Sequence, residues 1–169
     1  MTSRADFTDE EWARLGRAPL VAGVAISLAD PGGPIETLRE YRAVLDTVVA
    51  AARDGGFGAF VQSVARDVAA MAQRRENPLA GFTPDRHRAL DEILDELRAV
   101  NALLRQKATP EDLADFREWI RISSQRAAMA AREGGFLGIG GQQVSEREQE
   151  MLETLGEIFG VPRDAPPGP

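Results

Sequence analysis

The stretch 20–29, Leu-Val-Ala-Gly-Val-Ala-Ile-Ser-Leu-Ala, constrains this chain more than any other. Apart from Ser27, every residue in it is apolar or small, so a helix built on it has no charged face to offer water. It must be enclosed. It falls well short of the ~20 residues that cross a bilayer, which makes it a buried central helix of a folded domain and not a membrane span. Gly23 and Ala22 would let neighbouring helices approach it closely.

The remaining segments are suited to enclosing it. Thr8 with Glu11 forms a capping-box signature, and Phe7 with Trp12 a hydrophobic staple, predicting a short first helix that ends near Gly16. Pro19 then suits the first position of the central helix. A third helix from Ile35 carries Leu38, Tyr41, Leu45, Val48 and Ala52 at three- and four-residue steps, and Asp54-Gly55-Gly56 stops it. Phe57, Phe60, Val61, Val64, Val68 and Met71 make the next stripe. Thr83-Pro84-Asp85 and Thr109-Pro110-Glu111 read as two further helix starts, the first leading to Leu90, Ile93, Leu94 and Leu97, the second to Leu113, Phe116 and Ile120. Ser145 with Glu148 opens a last helix whose inner stripe is Met151, Leu152, Leu155, Ile158 and Phe159. No run alternates with period two, so a sheet has no support.

The expectation is therefore an all-α, single-domain bundle of about seven helices with a buried apolar second helix. It occupies residues 1–160, and 161–169 form a flexible, proline-rich tail.

Composition removes several kinds of chemistry. With no cysteine in 169 residues, disulfides, thiolate zinc sites and a cysteine nucleophile are excluded. The single histidine, His87, excludes a di-iron site that needs a Glu-x-x-His motif from each of two helices. A net charge of -7 repels nucleic acid, which is not expected as a partner. Residues 1–6 lack the apolar core of a signal peptide, and no transmembrane segment is present in the pattern, so the cytoplasm is the expected location.

One motif occurs twice: a small or apolar helix runs into a glycine-rich turn, and an acidic-start helix follows. The first copy turns at residues 30–33 and the second at 134–141, suggesting two pseudo-symmetric helix-turn-helix halves around one core. The second turn lacks the Lys and Ser/Thr of a phosphate loop and follows a helix, not a strand, which argues against a nucleotide. If its Phe136, Leu137 and Ile139 face water, they form a docking surface for a protein partner. Trp119, at the edge of its stripe beside Glu118 and Arg121, is a candidate for a subunit interface. Acids at the turns, Asp30, Glu36, Glu146 and Glu148, are oxygen donors of the kind a hard divalent cation takes, although helix capping also accounts for them. Asp91, Glu92, Asp95 and Glu96, among Arg86, Arg88 and Arg98, read as a solvated helix face.

Ala29, Asp30, Gly33 and Ile35 in the first turn, with Gly141, Val144, Ser145 and Glu148 in the second, resemble the doubled Ala-Asp-Gly and Ser-x-x-Glu turns of tellurite-resistance TerB-like domains. Pro31 and Arg39 depart from that pattern. The segment 133–148 is also similar to a segment of uncharacterised bacterial helical proteins. The TerB-like resemblance implies an all-α fold of two pseudo-symmetric halves, a non-enzymatic role linked to stress or membrane-associated complexes, and a divalent metal held by acids at the turns, here Asp30 and Glu148.

These readings converge on a non-enzymatic cytoplasmic interaction or scaffold protein, a homodimer or the partner of another protein, that needs no cofactor. The alternative is a small-ligand or divalent-metal-binding protein with its cavity between the apolar second helix and the long helix that follows Thr109.

Overall fold

The computed structural model describes residues 1–30, 34–53, 56–132 and 144–160, without the side chains of 34–38 and 131–132. Within them lie six α-helices and one 3₁₀ turn, Arg4–Asp6, and no strand. The helices are α1 (Asp9–Ala29), α2 (Pro34–Arg53), α3 (Ala59–Gln73), α4 (Ala89–Lys107), α5 (Pro110–Arg132) and α6 (Glu146–Phe159). All-α architecture is thus as the sequence reading has it. Both glycine-rich turns fall largely outside the described residues.

The expected first and second helices are one. α1 runs through Gly16 and Pro19 without a break, although an interior proline forfeits the hydrogen bond to the carbonyl four residues back and costs about 3 kcal/mol. Tertiary enclosure outweighs that penalty: from Leu15 to Gly23 every residue of α1 is buried. Gly16 is a packing residue here and not a stop, since a Cβ on it would lie 3.1 Å from Val68 Cγ2.

The start of α1 forms as the sequence dictates. Thr8 Oγ1 accepts from the Glu11 amide (3.2 Å), and the Glu11 carboxylate accepts from the Thr8 amide (2.8 Å), closing the capping box. The Phe7 and Trp12 rings lie 5.8 Å apart as a staple. Trp12 Nε1–H donates to Asp67 of α3, which gives the buried indole its polar partner. From Phe7 a ring chain continues through Phe60 and Phe116 to Trp119, joining the starts of α1, α3 and α5.

The uncharged half of α1 lies at the centre. Leu20, Val21, Ala22, Ala25 and Ile26 are all but inaccessible, and α2, α3, α4, α5 and α6 each pack against this helix. α2 returns antiparallel along it. A Cβ at Gly23 would stand 2.7 Å from Val44 Cγ2, so only glycine lets these two backbones approach so closely. Four residues on from Gly23 in α1 and four before Val44 in α2, Ser27 donates to the buried Glu40.

Polar clamps hold the other ends. The Thr2 amide donates to Asp112 (2.7 Å), the Thr109 amide donates to Thr2 Oγ1 (2.9 Å), and the Gly58 amide donates to Asp115 (2.8 Å). α4 begins six residues after Thr83, because residues 85–88 form a turn closed by the Arg88 amide on the Asp85 carbonyl. α6 opens with the expected Ser145–Glu148 capping box and ends at Gly160 in the left-handed conformation (φ 67°). Asn101 fastens that end by donating to the Ile158 carbonyl.

Candidate functional site

A buried ion pair lies where α1, α4 and the segment 74–88 meet. Arg17 on α1 donates through Nε (2.9 Å) and Nη2 (2.7 Å) to Oε1 of Glu96 on α4, and both residues are buried. Arg14, one turn earlier, brings its Nε to 3.2 Å from the same oxygen. Two cations therefore share one carboxylate. The Arg17 guanidinium lies over the Phe82 ring at 5.8 Å, which ties residues 74–88 to the pair. Gly81 beside it has φ 82°, a conformation glycine adopts without strain.

Glu96 was expected on a solvated face, and the structure corrects this. A helical wheel gives the reason: Glu96 lies three residues after Ile93 and four before Val100, both fully buried, so it falls on the inner stripe of α4. Its neighbour Asp95 keeps the expected exposed role and pairs with Arg98.

A second polar feature is the inner face of α5. Trp119, Ser123 and Ser124 are fully enclosed. Ser124 Oγ donates back to the Ile120 carbonyl (2.9 Å), whereas Trp119 Nε1 and Ser123 Oγ are buried with no partner among the described residues.

The sequence-derived candidates separate clearly. Trp119 packs edge-on against Phe116, with ring centroids 5.4 Å apart, and is 0% exposed. It is a core residue and offers no surface to a second chain, which corrects its assignment to an interface. Phe116 and Ile120 share its enclosure, so the α5 stripe is wider than its periodicity alone suggests. Phe136, Leu137 and Ile139 lie outside the described residues. Asp30 is exposed and ends α1 as its C-terminal cap. Glu148 is buried, and its carboxylate accepts from the Ser145 amide (2.9 Å). Among the described residues no group of three or more His, Asp or Glu is arranged to hold a metal ion, and Asp30 and Glu148 belong to no such group. His87 is exposed, with its backbone amide donating to Asp85 Oδ1. No helix among the described residues is long and apolar enough to cross a membrane.

Comparison with protein-family models, with curated proteins and with solved structures returns no match to this chain.

Proposed function

We propose that the protein is a non-enzymatic helical interaction protein that acts in the cytoplasm as a homodimer, in a stress-linked assembly of the kind the TerB-like resemblance implies. The observation that supports this reading is the exposure of Leu28 and Met129, at 40% and 48%. Apart from the terminal Met1, they are the large apolar side chains left exposed among the described residues. They occupy the last turns of α1 and α5, two helices packed on one another, and each precedes one of the two glycine-rich turns.

The starts of α1 and α5 are joined by the Thr2–Asp112 clamp, and Leu28 and Met129 sit at the opposite ends of these helices. A two-fold association through that end would withdraw four apolar side chains from water, each already more than half covered and so contributing less than half of the about 1.5–3 kcal/mol that full burial brings. The pseudo-symmetric relation of the two turn regions belongs to the same proposal.

Sedimentation equilibrium across micromolar concentrations tests the reading. The expected result is a dimer that becomes monomeric in the Leu28→Ser/Met129→Ser protein with an unchanged helical circular-dichroism spectrum. A wild-type monomer at every concentration overturns it.

A further inference from the structure

Two side-chain donors on the inner face of α5 have no acceptor among the described residues. The Trp119 indole N–H and the Ser123 hydroxyl are both in fully buried residues on α5. An unpaired donor in such surroundings forfeits its hydration with no return, and buried polar groups are almost always matched by protein or by a bound molecule. Among the described residues, the other indole and the other buried serine are matched. Trp12 Nε1–H reaches Asp67, and Ser124 Oγ reaches the carbonyl one turn back, an arrangement its neighbour Ser123 does not adopt.

We infer that Trp119 and Ser123 form an internal binding site for one oxygen acceptor, a water molecule or the oxygen of a small neutral organic ligand, shared between Trp119 Nε1–H and Ser123 Oγ–H. The residues are four apart on α5, so their side chains leave the same face of the helix, and one small acceptor held between them would serve both donors. The indole nitrogen only donates, which requires an acceptor and excludes a cation. α1 and α2, the two helices packed most extensively on α5, bury Ala22, Ala25, Val44, Val48 and Ala51, all apolar. Their buried polar side chains are engaged elsewhere, Arg17 with Glu96 and Glu40 with Ser27. The inference is independent of the homodimer, since the site is interior to one chain.

Thermal unfolding of the full chain with Ser123→Ala, Trp119→Phe and the double substitution tests it. A shared occupant makes Ser123→Ala lower the midpoint by about 2–4 °C, because loss of one partner releases the occupant and strands the indole N–H. The double variant then falls no further than the weaker single variant. The indole proton of Trp119, resolved from that of Trp12 by nuclear magnetic resonance, reports the source. A cross-peak to water identifies water, and added mass in the native mass spectrum of the purified protein identifies an organic ligand. Ser123→Ala at wild-type stability or above overturns the inference, since a merely unpaired hydroxyl is better lost. So does a wild-type protein with neither cross-peak nor added mass.

Discussion

Arg17 and Glu96, 79 residues apart in the chain, meet inside the protein with two guanidinium nitrogens on one carboxylate oxygen. The pair links the central helix to α4, and through Phe82 it also holds residues 74–88. Removing one member of a buried pair leaves the other charge unmatched and costs about 3–5 kcal/mol, whereas replacing both with apolar residues of similar size costs far less. Glu96→Ala is therefore expected to lose that much stability in urea unfolding, and Arg17→Met/Glu96→Leu to recover most of it. Additive losses in the double variant would show that the two residues act separately.

Gly23 sets the spacing of α1 and α2. Alanine improves helix propensity by about 1 kcal/mol, but its Cβ would press on Val44 Cγ2, and overpacking of this kind costs about 1–3 kcal/mol. Gly23→Ala is expected to be neutral to destabilising in a wild-type background and stabilising beside Val44→Ala, as measured by chemical denaturation. Stabilisation by Gly23→Ala alone would contradict the close approach.

Asp112 gives the protein an acid-sensitive clamp. Burial pushes its carboxyl up, but the Thr2 amide and hydroxyl, the Thr109 hydroxyl and the nearby amino terminus together hold it below the ordinary value of 3.8. A carboxyl whose folded value is depressed stabilises the fold above its unfolded value, and that stability is lost as pH falls through the folded value. The melting-temperature gap between wild type and Asp112→Asn is thus expected to be widest near neutrality and to close as pH falls below about 4. A gap independent of pH would mean that the clamp does not depend on charge.

Glu148 serves here as a helix cap. Ser145→Ala is expected to cost about 1 kcal/mol, and Glu148→Gln, which still accepts from the Ser145 amide, much less than Glu148→Ala. Scanning calorimetry with and without millimolar magnesium or manganese separates this from metal binding. A cation-dependent rise in melting temperature that Glu148→Gln abolishes would make Glu148 a ligand.

Helix identity was legible wherever an end signal coincided with an apolar stripe, as at Thr8 with Phe7 and Trp12, at Thr109, and at Ser145 with Met151. The signals at Gly16 and Pro19 misled because local propensity says nothing of enclosure. Both residues are buried on every side within α1, and packing carried the helix through them. Glu96 was hidden by composition, lying among acids that are exposed, although its place on the Ile93–Val100 stripe was available. Arg17 carried a weaker signal, as a charged residue between Leu15 and Leu20. Trp119 was misplaced because flanking charges suggested an edge, while Glu118 and Arg121 in fact pair with each other alongside it. The missing partners of Trp119 Nε1 and Ser123 Oγ could not be read from any pattern, since satisfaction of a polar atom depends on what surrounds it in three dimensions.

The account depends on the uncharged half of α1 being sheathed by the other five helices, leaving outer faces and helix ends for recognition. Native-state hydrogen exchange read peptide by peptide measures this directly. The amides of residues 20–26 are expected to exchange slowest in the chain, opening only with global unfolding. Exchange there as fast as in the exposed connection 74–88 would contradict the account.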